Sequence, residues 1–296
     1  MTNDKRERRQ NVCHNKQEGS FIDDGFTILR KAIPITIQDQ AQNSVIQSLK
    51  LLCKDIKENT PKDNNKLFSE IILDLAKKQK PYDILKPVWE NLVHEKIIHS
   101  IFTEEIIFQF ISNILGKDLC HQDDPSLTLN LPGISNSNQN YLFKGYHQEV
   151  WSGADIHTIQ FWTPLFQNDN SGGIVLVKSS HHWGHIPHKN REPIELPKQM
   201  VEIHSDLEIG DVIIFHSLLL HRTSPIKSDG QPRLAIPCLL KNFRMPNNSF
   251  ETYRNWKIFS YSDLSQIDRR LGNHYLSPFR LLDIKTIDQQ FDKGIK

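Results

Sequence analysis

Long hydrophobic runs, cysteine pairs and an excess of either charge are all missing from this 296-residue chain. No stretch approaches the roughly 20 apolar residues that a membrane-spanning helix needs. Cys13, Cys53, Cys120 and Cys238 are far apart and follow no CxxC or zinc-ribbon spacing, so neither a disulfide framework nor a thiolate zinc site is expected. The opening MTNDKRERRQ lacks the apolar core of a signal peptide, and a reducing, cytoplasmic location is the expectation. Lys and Arg number 36 against 35 Asp and Glu, which gives no strong field for nucleic acid or an anionic membrane. A small-molecule partner fits that balance, with the oligomeric state left open.

What is present divides the chain into a tail and one domain of three stretches. Residues 1–20 are polar and charged and read as a loose tail. Residues 21–296 read as a single domain, because no linker, repeat or low-complexity tract interrupts them. From about 35 to 120 the apolar spacing is mostly helical, with helices expected at QDQAQNSVIQSLKLLCKDI and near 66–78, 85–98 and 104–115. The polar break Asp63-Asn64-Asn65 falls just before the second.

From about 125 to 245 the pattern changes to short apolar or alternating runs: SLTLNL, YLFKGYH, IHTIQFWTPLF, GGIVLVK, QMVEIH, GDVIIFH and RLAIPCLLKNF. Seven strands punctuated by Gly, Asn, Asp and Pro predict a sandwich or jelly roll, with the preceding helices against one outer face. Beyond about 245 the pieces look helical. The fold class expected is mostly β with helical additions.

Chemistry concentrates in KGYHQEVWSG, residues 144–153. On a strand, alternation points His147 and Glu149 to one side, where both can hold the same metal ion. Nine of the 14 histidines lie between 147 and 221, and GDVIIFHSLLLHRTSP offers His216 and His221 as a third ligand. A late strand of a jelly roll can face an early one. Two histidines and a carboxylate leave three positions open on an octahedral ion, the arrangement of non-haem Fe(II) oxygenases. Arg233, on the next predicted strand, can pair with the distal carboxylate of a 2-oxo acid.

Other histidine groups read as ordinary. In HEKIIH the two histidines are five apart, not the four of a zinc-protease helix, so they face different ways. His216 ends a buried strand and reads as a satisfied core residue, and His181, His182, His185 and His188 of HHWGHIPH read as loop histidines near the pocket mouth. For Trp151, Trp183 and Trp256, packing is the expected role.

Taken in order, HQE, FWTPL, SGGIVLVKSSHHWG and GDVIIFHSLLLHRTSPIKSDGQPRLAI resemble the phytanoyl-CoA dioxygenase family of Fe(II)/2-oxoglutarate oxygenases, and FIDDGFTILRKAI looks like that family's start. The resemblance implies a double-stranded β-helix core of jelly-roll (cupin-like) type. It implies His147, Glu149 and His221 as iron ligands, Arg233 as the clamp on the 2-oxoglutarate C5 carboxylate with Thr223 beside it, and Gln148 and Trp162 in the cosubstrate pocket. Fe(II), 2-oxoglutarate and O2 come with it, with ascorbate as an auxiliary reductant, and so does hydroxylation of a small metabolite with release of succinate and CO2. The chain departs from the family in carrying Glu149 where Asp is usual, and KSSH in place of PGSH. Two other readings stay open on the residues alone: a cupin-like Zn or Mn hydrolase or isomerase, and a non-catalytic metal-binding relative.

Overall fold

The computed structural model describes residues 17–53, 63–124, 126–132, 144–168, 170–227, 229–248 and 254–270. In chain order these hold β1 (Gln17–Glu18), β2 (Phe26–Leu29), five helices α1 (Ile35–Leu52), α2 (Asn64–Lys78), α3 (Pro81–His94), α4 (Ile97–Thr103) and α5 (Glu105–Leu115), then β3 (Leu119–Gln122), β4 (Thr128–Asn130) and β5 (Ile159–Phe166). There follow β6 (Ile174–Val177), β7 (His188–Lys189), β8 (Glu192–Pro193), β9 (Glu202–His204), β10 (Val212–His216), β11 (His221–Thr223), β12 (Arg233–Asn242), β13 (Trp256–Ser260) and α6 (Asp263–Arg270).

Two antiparallel sheets make the jelly roll. The larger runs β1-β2-β10-β5-β12-β3-β13, with β4 also on β12, and the smaller runs β11-β6-β9. Both faces of β5 are buried, and its alternation shows why. Phe161 and Leu165 pack with Val45, Phe68, Ile72 and Trp89 of the helices, whereas Trp162 packs with Leu176 and Phe215 between the sheets. Phe68 of α2 stacks on Phe166 of β5 at 4.3 Å between ring centres. Each large apolar side chain buried this way is worth about 1.5–3 kcal/mol, so the helices are fixed to the outer face of the sheet while its inner face is left to build a cavity.

Local signals account for the helix ends. The Asp63 carboxylate accepts the backbone N–H groups of Asn65 and Lys66, capping α2 as the polar break suggests. Between α3 and α4, Lys96 adopts φ 60°, so His94 and His99 of HEKIIH lie on separate helices.

Several sequence expectations need correction. Within the expected tail, β1 pairs Gln17 with Leu29 and Glu18 with Ile28; residues 1–16 lie outside the described residues. The larger sheet already includes β1 and β2, well before 125, and β3 begins within the end of the stretch read as helical. The segment after 245, read as helical, supplies β13 before α6, and residues 271–296 are outside the described residues. Of YLFKGYH, 141–143 lie outside the described residues; 144–146 are not in a strand, and His147 makes a single bridge to His221. No helix among the described residues is long and apolar enough to cross a membrane.

Candidate functional site

His147 and His221 are brought together by their backbones. The N–H of each donates to the carbonyl of the other, at 2.9 and 3.0 Å, and the rings lie 4.1 Å apart. Glu149 is held differently from the sequence expectation. It opens a 3-10 turn, Glu149–Ser152, closed by Gly153 at φ 86°, and its N–H donates to the Ser217 carbonyl at 3.0 Å. The turn swings the carboxylate toward the imidazoles, a job that strand alternation was expected to do.

The ring orientations are set by hydrogen bonds on the far nitrogens. His147 Nδ1 faces the Gly145 carbonyl at 2.8 Å and His221 Nδ1 faces the Leu219 carbonyl at 2.9 Å. A carbonyl only accepts, so each Nδ1 carries a proton, and in the neutral ring Nε2 is then the nitrogen with the lone pair. Glu149 Oε1 lies 3.8 Å from His147 Nε2 and 3.3 Å from His221 Nε2. All three ligand atoms fall within 4.8 Å of one another, and among the described residues no other His, Cys, Asp or Glu group converges in this way. Burial, then the neighbouring His221 and Lys144, hold His147 well below the ordinary histidine value. Burial alone would raise Glu149, but the His221 contact and the charge of Lys144 overcome it and leave the carboxyl below its ordinary value. A neutral imidazole and an ionised carboxylate are the protonation states that bind a cation.

These groups line a cavity of about 390 Å3 that also takes in Trp162, Thr223 and Arg233. Arg233 is 2% exposed. Its Nη2 donates to Asn130 Oδ1 at 2.8 Å across the β4–β12 register, while Nε and Nη1 have no partner among the described residues. Its guanidinium carbon stands 5.5 Å from the centre of the Trp162 ring. Burial lowers its pKa to about 10, which leaves it charged at neutral pH. A buried cation with two unused donors is costly unless something anionic completes it, and the cavity that Arg233 lines has room for such a group.

Thr223 lines the same cavity, with Oγ1 accepting from the Lys144 N–H at 3.4 Å. Two other basic residues, Lys178 and Arg222, are already paired: Lys178 with Asp24 at 3.1 Å and Arg222 with Glu202 at 3.1 Å.

Gln148 does not line the cavity, and its expected pocket role is corrected by its bonds. Its Nε2 donates to the carbonyls of Gly184 and Leu218 at 2.9 and 2.6 Å, and its Oε1 accepts from the Ile186 N–H at 2.9 Å. With its amide fully engaged, it ties the 181–188 loop to the turn before His221. The histidines of that loop are likewise absent from the cavity wall: His181 bonds the Ile22 carbonyl and His188 stacks on Trp151 at 4.8 Å. His216 accepts the Leu218 N–H at 3.0 Å through Nδ1 and takes no part in the triad, as expected of a core histidine. Trp151 and Trp256 are buried and Trp183 is partly exposed; none of the three is in the cavity wall. The sequence reading missed Asn130, Gln160, Arg191 and Arg254, which do line it. Only Asn130 carried a signal, as the polar end of an apolar strand.

The family model described as phytanoyl-CoA dioxygenase (PhyH) matches residues 63–235, more than half of the chain. A non-heme monooxygenase, ThoJ in its apo form, is 16% identical with a TM-score of 0.51, over 91% of this chain and 98% of that one. The epimerase SnoN, in complex with Fe3+, alpha ketoglutarate and nogalamycin RO, is 12% identical at a TM-score of 0.46, over 78% and 84% of the two chains. EvdO2 from Micromonospora carbonacea var. aurantiaca, complexed with 2-oxoglutarate, is 14% identical at 0.43, over 75% and 88%. At these identities the likeness to ThoJ is one of fold. Together with the jelly-roll core, the family match identifies the chain as a member of the phytanoyl-CoA dioxygenase family.

Proposed function

We propose that this protein is an Fe(II)- and 2-oxoglutarate-dependent oxygenase that hydroxylates a small molecule. The observation that carries the reading is Arg233, a buried guanidinium with two unused donors in the same cavity as the His147, Glu149 and His221 ligand atoms. A triad alone suits many divalent ions. A triad facing a buried unpaired cation suits an ion whose open positions are filled by an anionic chelator.

The residues fit both groups. His147 and His221 would hold iron through Nε2 and Glu149 through its carboxylate, while Arg233 would receive the distal carboxylate of 2-oxoglutarate. When bound, iron and 2-oxoglutarate supply the oxidising power, since conversion of the 2-oxo acid and O2 to succinate and CO2 drives oxidation of a C–H bond. The chain's own contribution is positional. Gly145 and Leu219 fix the histidine tautomers, Asn130 and Trp162 hold the guanidinium in place, and the packed strands β5, β10 and β12 keep water out behind the site. Glu149 favours hydroxylation because a carboxylate on the metal leaves no protein-side position for a halide.

A zinc- or manganese-dependent hydrolase on the same barrel would leave the Nε and Nη1 donors of the buried Arg233 without an anionic partner. Incubation of the iron-loaded protein with 2-oxoglutarate and O2 tests the proposal. Consumption of 2-oxoglutarate with equimolar succinate supports it, and no consumption with iron bound would overturn it.

A further inference from the structure

The cavity has a second polar arm that the triad and Arg233 do not use. Across the larger sheet, Phe215 of β10 pairs with Gln160 of β5, and Gln160 pairs with Leu239 of β12. The β12–β3 register carries the row on to Gln122, which pairs with Trp256. Phe215, Gln160, Leu239 and Gln122 all line the cavity, and the Phe215 ring meets His221 edge-on at 4.7 Å. The row therefore starts beside a metal ligand and runs across the strands for about 14 Å, at about 4.8 Å per strand. Arg233 is reached in a different direction, along β12.

Two observations show that this arm is built for a polar ligand. Gln160 is 5% exposed, and its Oε1 has no hydrogen-bond partner among the described residues. At the far end Arg254 lines the cavity, steadied by Nη2 donating to the Ser152 carbonyl at 2.8 Å. Lys144 and Arg191 line the cavity too, and among the described residues no carboxylate lies within ion-pair distance of Lys144, Arg191 or Arg254. Arg222 is neutralised by Glu202. With the proposed groups in place, the metal dication, the cosubstrate dianion, Glu149 and Arg233 cancel, so three cations would remain to be balanced.

We infer that the substrate is a small carboxylate, whose anionic end is received at Arg254 and which presents an N–H or O–H donor to Gln160 Oε1. This places the substrate along the cross-strand row of Phe215, Gln160 and Leu239, away from Arg233 at the start of β12. It would also give the protein a preference for acids over their neutral or cationic analogues, because an amine would meet three uncompensated like charges. The inference rests on the proposed 2-oxoglutarate chemistry.

The test uses full-length protein loaded anaerobically with Fe(II) and 2-oxoglutarate, and titrated with N-acetyl-L-leucine and N-acetyl-L-phenylalanine, each as the free acid and as the primary amide. Binding is read by calorimetry and by displacement of the visible iron-to-2-oxoglutarate band. The acids should bind at least about tenfold more tightly than the amides, as one lost charge pairing implies. Arg254→Met should abolish that preference while the band persists, and Gln160→Leu should weaken acid and amide alike. Acids that bind no better than amides, or a preference that survives Arg254→Met, would overturn the inference. A band that never forms, before any probe is added, would instead remove the 2-oxoglutarate reading beneath it.

Discussion

His147 and His221, far apart in sequence, exchange both backbone hydrogen bonds, so the two metal-binding rings are positioned by main chain. The third ligand, Glu149, depends on a short 3-10 turn for its direction. This asymmetry sets which ligand tolerates change.

Shortening the Glu149 arm keeps the charge and the turn, whereas truncation removes both the ligand and the anion that offsets the metal. Glu149→Asp should therefore retain measurable 2-oxoglutarate turnover and Glu149→Ala almost none, with weaker metal affinity measured by competition with a chelator. Near-wild-type turnover in both variants would show that Glu149 is not a ligand.

Loss of the Arg233 guanidinium should be felt by the cosubstrate and not by the metal. Arg233→Ala is expected to weaken 2-oxoglutarate binding by about 2–4 kcal/mol, the cost of removing one member of a buried charge pair, with iron affinity largely kept. Calorimetry with metal-loaded protein measures it. Unchanged affinity would make Arg233 a structural residue and move the clamp elsewhere in the cavity wall.

Gln148 should behave as a brace. Its three hydrogen bonds join Gly184, Ile186 and Leu218, so Gln148→Leu leaves buried backbone groups unpaired at about 1–3 kcal/mol each. The melting temperature should fall while the 2-oxoglutarate dissociation constant of the remaining folded protein moves little. A selective loss of cosubstrate affinity with unchanged melting would restore the pocket role that the motif suggested.

His216 gives stability a pH dependence. Burial, then His181 and His182, push its pKa down to about 4 from an ordinary 6.5. The unfolded chain binds the extra proton between those values, so stability is full above about 6.5 and falls as pH drops toward 4. After discounting for the exposed part of the ring, ~1–2 kcal/mol is at stake. Melting curves at pH 7.5 and 5.5 should show a smaller drop for His216→Asn, which keeps an acceptor for the Leu218 N–H. An identical drop in both proteins would assign the effect to other groups.

The sequence made the ligand set legible because ligand identity survives irregular backbone. His147, Glu149 and His221 meet although 144–146 and Glu149 are not in a strand, since the His147–His221 bridge and the Ser217 contact do what alternation was expected to do. Strands β5, β10 and β12 were readable from apolar runs long enough to be buried on both faces. Residues 119–122 and 256–260 were not: LCHQ follows directly on a helix, and WKIFS lies among polar residues, so only pairing with β12 and with each other makes them strands. Gln148 and Gln160 show the same limit for side chains. One sits inside the motif yet points away from the cavity, and the other, in an apolar run, faces it.

The most direct test of the iron and 2-oxoglutarate chemistry is an anaerobic titration of the Fe(II)-loaded protein with 2-oxoglutarate, followed in the visible range beside the Arg233→Ala and His221→Ala variants. The expected result is a weak charge-transfer band that saturates at one equivalent in the wild type, needs far more 2-oxoglutarate in Arg233→Ala, and is missing in His221→Ala. Iron bound at the triad with no band at any 2-oxoglutarate concentration would contradict the proposed chemistry.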